Sequence, residues 1–131
     1  MNTMIRNLVA VALSVAALSS AHAASDAEKR ADTQFKAAME RCEPMKGNAQ
    51  DVCEKDAKAA RARAKAGDKA ASKGTPEARA DAGESSARAQ YDAAKERCEP
   101  LKGKEQTACE SKAKATLDRR QADADKNRKM N

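Results

Sequence analysis

The sequence has no tryptophan, one phenylalanine, one tyrosine and one histidine. The histidine, His22, falls inside an N-terminal stretch that reads as an export signal, so the remainder has none. That excludes Ser-His-Asp and Cys-His nucleophile chemistry and a histidine general base. A GxSxG elbow, a phosphate-cradling glycine loop and a CxxCH haem attachment are also absent. Large apolar side chains are nearly as scarce. Beyond residue 23, Val, Ile, Leu and Phe number only four: Phe35, Val52, Leu101 and Leu117. So few cannot build an ordinary globular core. Two aromatics, with no recognisable nucleic-acid module, make nucleic acid an unexpected partner.

One long apolar run exists, Leu8–Leu18. Arg6 precedes it, and Ala21-His22-Ala23 follows as a small-x-small cleavage pattern. The run is about half a membrane span. The segment 1–23 is expected to be a signal peptide cleaved after Ala23. No cysteine stands at the cleavage point to take a lipid. The product is expected in the periplasm, with no membrane span after cleavage. Loss of Arg6 takes the net charge from +6 to +5.

What the chain does have is helix-forming residues. Ala, Lys, Arg, Glu and Leu make up 63 of the 108 residues from Ala24 onward. Acid-to-base pairs recur at i,i+4: Asp26/Arg30, Asp32/Lys36, Asp51/Lys55, Glu54/Lys58, Glu84/Arg88 and Glu110/Lys114. Long, exposed helices with thin contacts are expected, with Lys126–Asn131 frayed.

The chain also repeats itself. Gln34–Ala59 and Gln90–Ala115 align without a gap at an offset of 56, and 16 of 26 positions match. Each copy reads as helix, turn, helix. Ser25 with Glu28 forms a capping box for the first helix. Thr75 as N-cap with Pro76 at N1 starts the second unit. Pro44 and Pro100 should bend or end the first helix of each copy near its cysteine. Gly47 and Gly103 suit the left-handed position that closes a helix, and Asn48 could cap the next.

The four cysteines lie as Cys42/Cys53 and Cys98/Cys109, each pair roughly equidistant from its turn glycine. Across a tight antiparallel hairpin such residues face each other, so the expected bridges are Cys42–Cys53 and Cys98–Cys109. The alternative, Cys42–Cys109 with Cys53–Cys98, would tie the two copies together. An exported compartment is oxidising enough for either. C-x-x-C redox chemistry is not matched by a ten-residue spacing, and a zinc site would need four converging thiolates. No cofactor and no metal are expected.

Phe35, Met39 and Cys42 share one helix face, and Tyr91 and Cys98 repeat it. Phe35 and Tyr91 are therefore expected in the hairpin core, with Tyr91 and Leu117 packing across the second hairpin. A basic stripe runs along Lys58, Arg61, Lys65 and Lys69. It reads first as a solvated helix face and second as an anion-binding surface for lipopolysaccharide, anionic lipid or polymer.

The tandem pattern resembles small Ala/Lys-rich exported proteins of proteobacteria, sometimes labelled TolA-like or cell-envelope proteins. It is carried by Phe35, Ala38, Cys42, Gly47, Cys53 and Ala57-Lys58-Ala59. The second copy repeats it with Tyr91, Ala94, Cys98, Gly103, Cys109 and Ala113-Lys114-Ala115. The resemblance covers about half of the mature chain. It implies an envelope compartment and a helical class, and it assigns no mechanism.

Together these readings define an all-α fold: two tandem disulfide-stapled antiparallel helical hairpins, elongated, with little hydrophobic core. The expected units are a signal peptide at 1–23, one hairpin at 24–71, a linker at 72–75 and a second hairpin at 76–131. The expected function is a non-enzymatic structural or interaction protein of the cell envelope, with no small-molecule substrate. Its partner would be an envelope protein or an anionic surface. The alternatives are an anion-binding module on the basic stripe and a thiol- or metal-binding protein, which requires free cysteines.

Overall fold

The computed structural model describes residues 19–129. The expected signal core, Met1–Leu18, lies outside the described residues, as do Met130 and Asn131. Four helices follow one another: α1 (Ser19–Cys42), α2 (Asn48–Lys73), α3 (Pro76–Cys98) and α4 (Gly103–Lys129). Each packs against its sequence neighbour, so α2 and α3 are the inner pair. The all-α architecture of two stapled hairpins is as expected.

The helices end where local chemistry stops them. Each first helix terminates at its cysteine, two residues ahead of Pro44 or Pro100, in the same turn. Met45 N donates to Cys42 O at 3.0 Å, and the equivalent Leu101 N donates to Cys98 O at 3.1 Å. Gly47 does have positive φ (58°), but its ψ of −145° is open to glycine and not to left-handed helix. It starts α2 as N-cap rather than closing α1. Asn48 is thereby displaced to the first helical position. Its side-chain Nδ2 donates to Glu96 O at 3.0 Å, joining the start of α2 to the end of α3.

Gly74 closes α2 in the left-handed conformation (φ 66°, ψ 4°), with its N–H on Ala70 O. Thr75 then caps α3, its Oγ1 accepting from Ala78 N at 3.1 Å. The linker is therefore only Gly74-Thr75, shorter than the expected 72–75, and it folds α3 back along α2.

Two helix ends depart from expectation. Ser25 and Glu28 do not cap the start of α1, since Ser19–Ala24 ahead of them is already helical. Glu28 reaches instead to Lys65 Nζ at 3.1 Å. At the other end, Lys126–Lys129 is helical rather than frayed. Arg128 holds it, contacting Asp81 at 2.7 Å and Glu84 at 3.5 Å on α3 and Asp125 at 2.9 Å on its own helix.

The core is made of alanine and cysteine. Among the described residues, every buried side chain is one of nine alanines or Cys42 and Cys98. Phe35 and Tyr91, expected in the core, are only half-buried. Small side chains let antiparallel helices approach closely, which leaves no room for a ring in the seam. Such a core is thin: a buried methyl contributes roughly 0.8 kcal/mol. Covalent staples supply what burial does not. Cys42–Cys53 and Cys98–Cys109 are both formed, with Cα–Cα distances of 5.6 and 5.7 Å, inside the usual range.

Candidate functional site

The two hairpins are close repeats, and their differences mark the site. In the first, the seam between α1 and α2 is closed by charge. Arg61 lies over the Phe35 ring, 4.8 Å from its centroid, and donates to Asp32 at 2.7 Å. Lys65 joins the same carboxylate at 3.0 Å and Glu28 at 3.1 Å. The Arg61 guanidinium first, then the Lys65 ammonium, holds the Asp32 carboxyl below its ordinary range. Lys65 is raised in turn, by Asp32 and then Glu28.

In the second hairpin the 56-residue offset keeps Glu28 as Glu84 and replaces the other members of that network. Phe35 becomes Tyr91, Arg61 becomes Leu117, Asp32 becomes Arg88 and Lys65 becomes Gln121. Leu117 stands where Arg61 covers the first ring. The cation near Tyr91 is instead Lys95 of the same helix, 6.0 Å from the ring centroid. A groove opens beside Leu117. Its floor is α3, where Ala87, Gln90, Tyr91, Ala94 and Cys98 share one face. One wall is Asp56, Ala59 and Arg63 on α2. The other is α4, with Cys109, Ala113, Thr116 and Leu117 on a single face. These residues bound about 710 Å³ that is partly open to solvent.

The rim is basic. Arg63 and Arg97, Lys112 and Arg120 line it against one carboxylate, Asp56. Arg97 pairs with Asp56 across the α2–α3 interface. Arg63, Lys112 and Arg120 are exposed and make no ion pair among the described residues. The groove thus has an apolar bed, a disulfide at one end and uncommitted cations on both walls.

The cysteines stand where their spacing placed them, and the intra-hairpin connectivity is the one formed. All four are bridged, so no free thiol remains. No cluster able to hold a metal occurs among the described residues, and no described helix is long and apolar enough to cross a membrane.

The basic stripe is differently disposed from expectation. Lys58 pairs with Glu54 at 3.4 Å, and Arg61 and Lys65 are built into the α1–α2 seam. Lys69 alone of the four makes no ion pair among the described residues. The groove itself was missed by sequence reasoning. The signal lay in the repeat alignment, as the exchange of Arg61 for Leu117 opposite a retained aromatic.

No protein-family model matches the chain, and neither a curated protein nor a solved structure is significantly similar to it.

Proposed function

We propose that the protein is a non-enzymatic interaction protein of the periplasm, exported by its N-terminal signal and stapled by two disulfides, that presents the α2–α3–α4 groove to an envelope partner. The observation that carries this reading is the groove: an apolar bed whose walls carry three cations, Arg63, Lys112 and Arg120, that make no ion pair among the described residues. The disulfides support an oxidising compartment. The resemblance to small exported proteobacterial proteins points the same way.

The test has two parts on one sample. The protein recovered from its native cells is expected in the periplasmic fraction, starting at Ala24 and lacking all four thiol hydrogens. A photo-crosslinking residue at Leu117, in the groove, is expected to give a discrete adduct there. The same residue at Lys29, on the outer face of α1, is expected to give none. A cytoplasmic protein, free thiols, or equal labelling from both positions would overturn the proposal.

A further inference from the structure

We infer that the groove receives an amphipathic helix of a partner protein, with a small-residue or aliphatic stripe flanked by carboxylates. This rests on the proposed interaction role and names its chemistry. Three observations lead to it. First, the groove is bounded by helices on three sides. Apart from Ala93, buried beside them, its lining residues fall at 87, 90, 91, 94, 97 and 98 on α3, and at 109, 112, 113, 116, 117 and 120 on α4. Each set has the i, i+3, i+4, i+7 spacing of one helix face, so α3 forms a bed between two ridges. A fourth helix laid on it would complete a bundle.

Second, the groove is partly open to solvent. A small amphiphile there would leave much of its surface in water, whereas buried ligands usually hide 70–90% or more of theirs. A helix needs only one face covered. From Ala87 to Cys98 the bed is roughly 17 Å long at 1.5 Å per residue, enough for about three turns.

Third, charge selects the sign. Arg63 stands on the α2 wall, and Lys112 and Arg120 stand on the α4 wall. A helix seated between them would meet cations along both flanks, so its flanking positions should be Glu or Asp. Leu117 and Tyr91 supply the apolar anchor points at the centre. In the first hairpin the place of Leu117 is taken by Arg61, which lies over Phe35 at 4.8 Å from the ring centroid.

The test uses the disulfide-bonded protein and a fluorescent, side-chain-stapled peptide of about 12–14 residues, matched to the groove length. The peptide carries Leu and Ala on one face and Glu at the flanks. Its controls are a scramble of the same composition and a version with Lys for Glu. Binding of the acidic amphipathic peptide alone is expected, weakening as salt rises. R63E/R120E should weaken it at least tenfold, R63K/R120K should retain it, and L117R should abolish it. Circular dichroism melts on each variant separate loss of binding from loss of fold.

Binding of the scramble or the Lys peptide at equal strength would overturn the inference. So would indifference to the groove substitutions. Stronger retention on phosphatidylglycerol vesicles, or displacement of the peptide by a long-chain fatty acid, would assign the groove to lipid instead. A concentration-dependent dimer in sedimentation that L117R dissociates would assign it to a second copy. A Leu117-specific crosslink in the periplasm with no peptide binding would leave the interaction role standing and refute only the helix.

Discussion

Removing the Cys42–Cys53 bridge as C42A/C53A is expected to lower stability by about 2.8 kcal/mol. The bridge closes a separation of 11 residues. In the chain-entropy treatment, opening a loop of that length returns about 9 cal/mol/K to the unfolded chain, which at 25 °C is about 2.8 kcal/mol. Alanine is the proper replacement because Cys42 is 1% exposed, and serine would bury a hydroxyl in the seam. For a domain near 100 residues, each kcal/mol moves Tm by about 4–8 °C, so the melt should fall by roughly 11–22 °C. Thermal circular dichroism at 222 nm on the parent, the variant and the dithiothreitol-treated parent measures it. Cys98–Cys109 spans the same separation and should behave alike. Losing both bridges would remove about 5.5 kcal/mol, comparable with the whole stability of a marginal domain. The cooperative melt should then disappear. A C42A/C53A protein melting within about 3 °C of the parent would refute the reasoning, because under 1 kcal/mol would then rest on the staple.

Other perturbations follow from single contacts. Gly83 lies inside α3, and an added Cβ would meet Ala124 Cβ at 4.0 Å, an ordinary contact. G83A should therefore stabilise by about 0.5–1 kcal/mol in urea unfolding. G47A should destabilise by about 1–2 kcal/mol in the same assay, because positive φ penalises a Cβ. Ala80 is 2% exposed in the helix seam, so A80L should lose about 1–3 kcal/mol through overpacking. The carboxyls of Asp32 and Glu84 are both depressed, the latter by Arg88 first and Arg128 among the further causes. Their contribution is complete above the unfolded carboxylate pKa, about 4, and is lost as pH falls through the lower folded values. Lys65 and Arg128 are raised, so theirs is lost only in strong alkali. Stability should be level between about pH 5 and 10 and fall below about pH 4, and D32N should flatten part of that acid limb.

The local structure was legible because its causes are local. Pro44 and Pro100 end their helices through the missing N–H, and Thr75-Pro76 begins α3 through one hydroxyl and one fixed φ. The cysteine pairing followed from two residues flanking a turn. Core membership was harder to read. Phe35 and Tyr91 carry the most apolar surface, but close helix approach favours the smallest side chain, so the seam went to alanine.

Charge pairing shows the boundary between what sequence and structure each decide. Glu54–Lys58 and Glu84–Arg88 pair within their helices at 3.4 and 2.7 Å, as the i,i+4 spacing suggested. Asp32 instead takes Arg61 and Lys65, and Lys55 takes Glu96 on α3 at 3.2 Å. Lys114 turns to Asp118 rather than Glu110. An i,i+4 pair is worth only a few tenths of a kcal/mol, so any better-placed partner on a neighbouring helix redirects a long side chain. Arg61 and Lys65 left the basic stripe for that reason.

Sequence alone therefore determined the helices and their turns and favoured the two staples, since each depends on residues within about a dozen positions of one another. Tertiary structure decided that α3 would fold back on α2, which charges would be neutralised, and that a groove would open beside Leu117. Those outcomes depend on segments tens of residues apart. They are set by which faces meet, and composition and periodicity do not specify that meeting when every face is largely alanine.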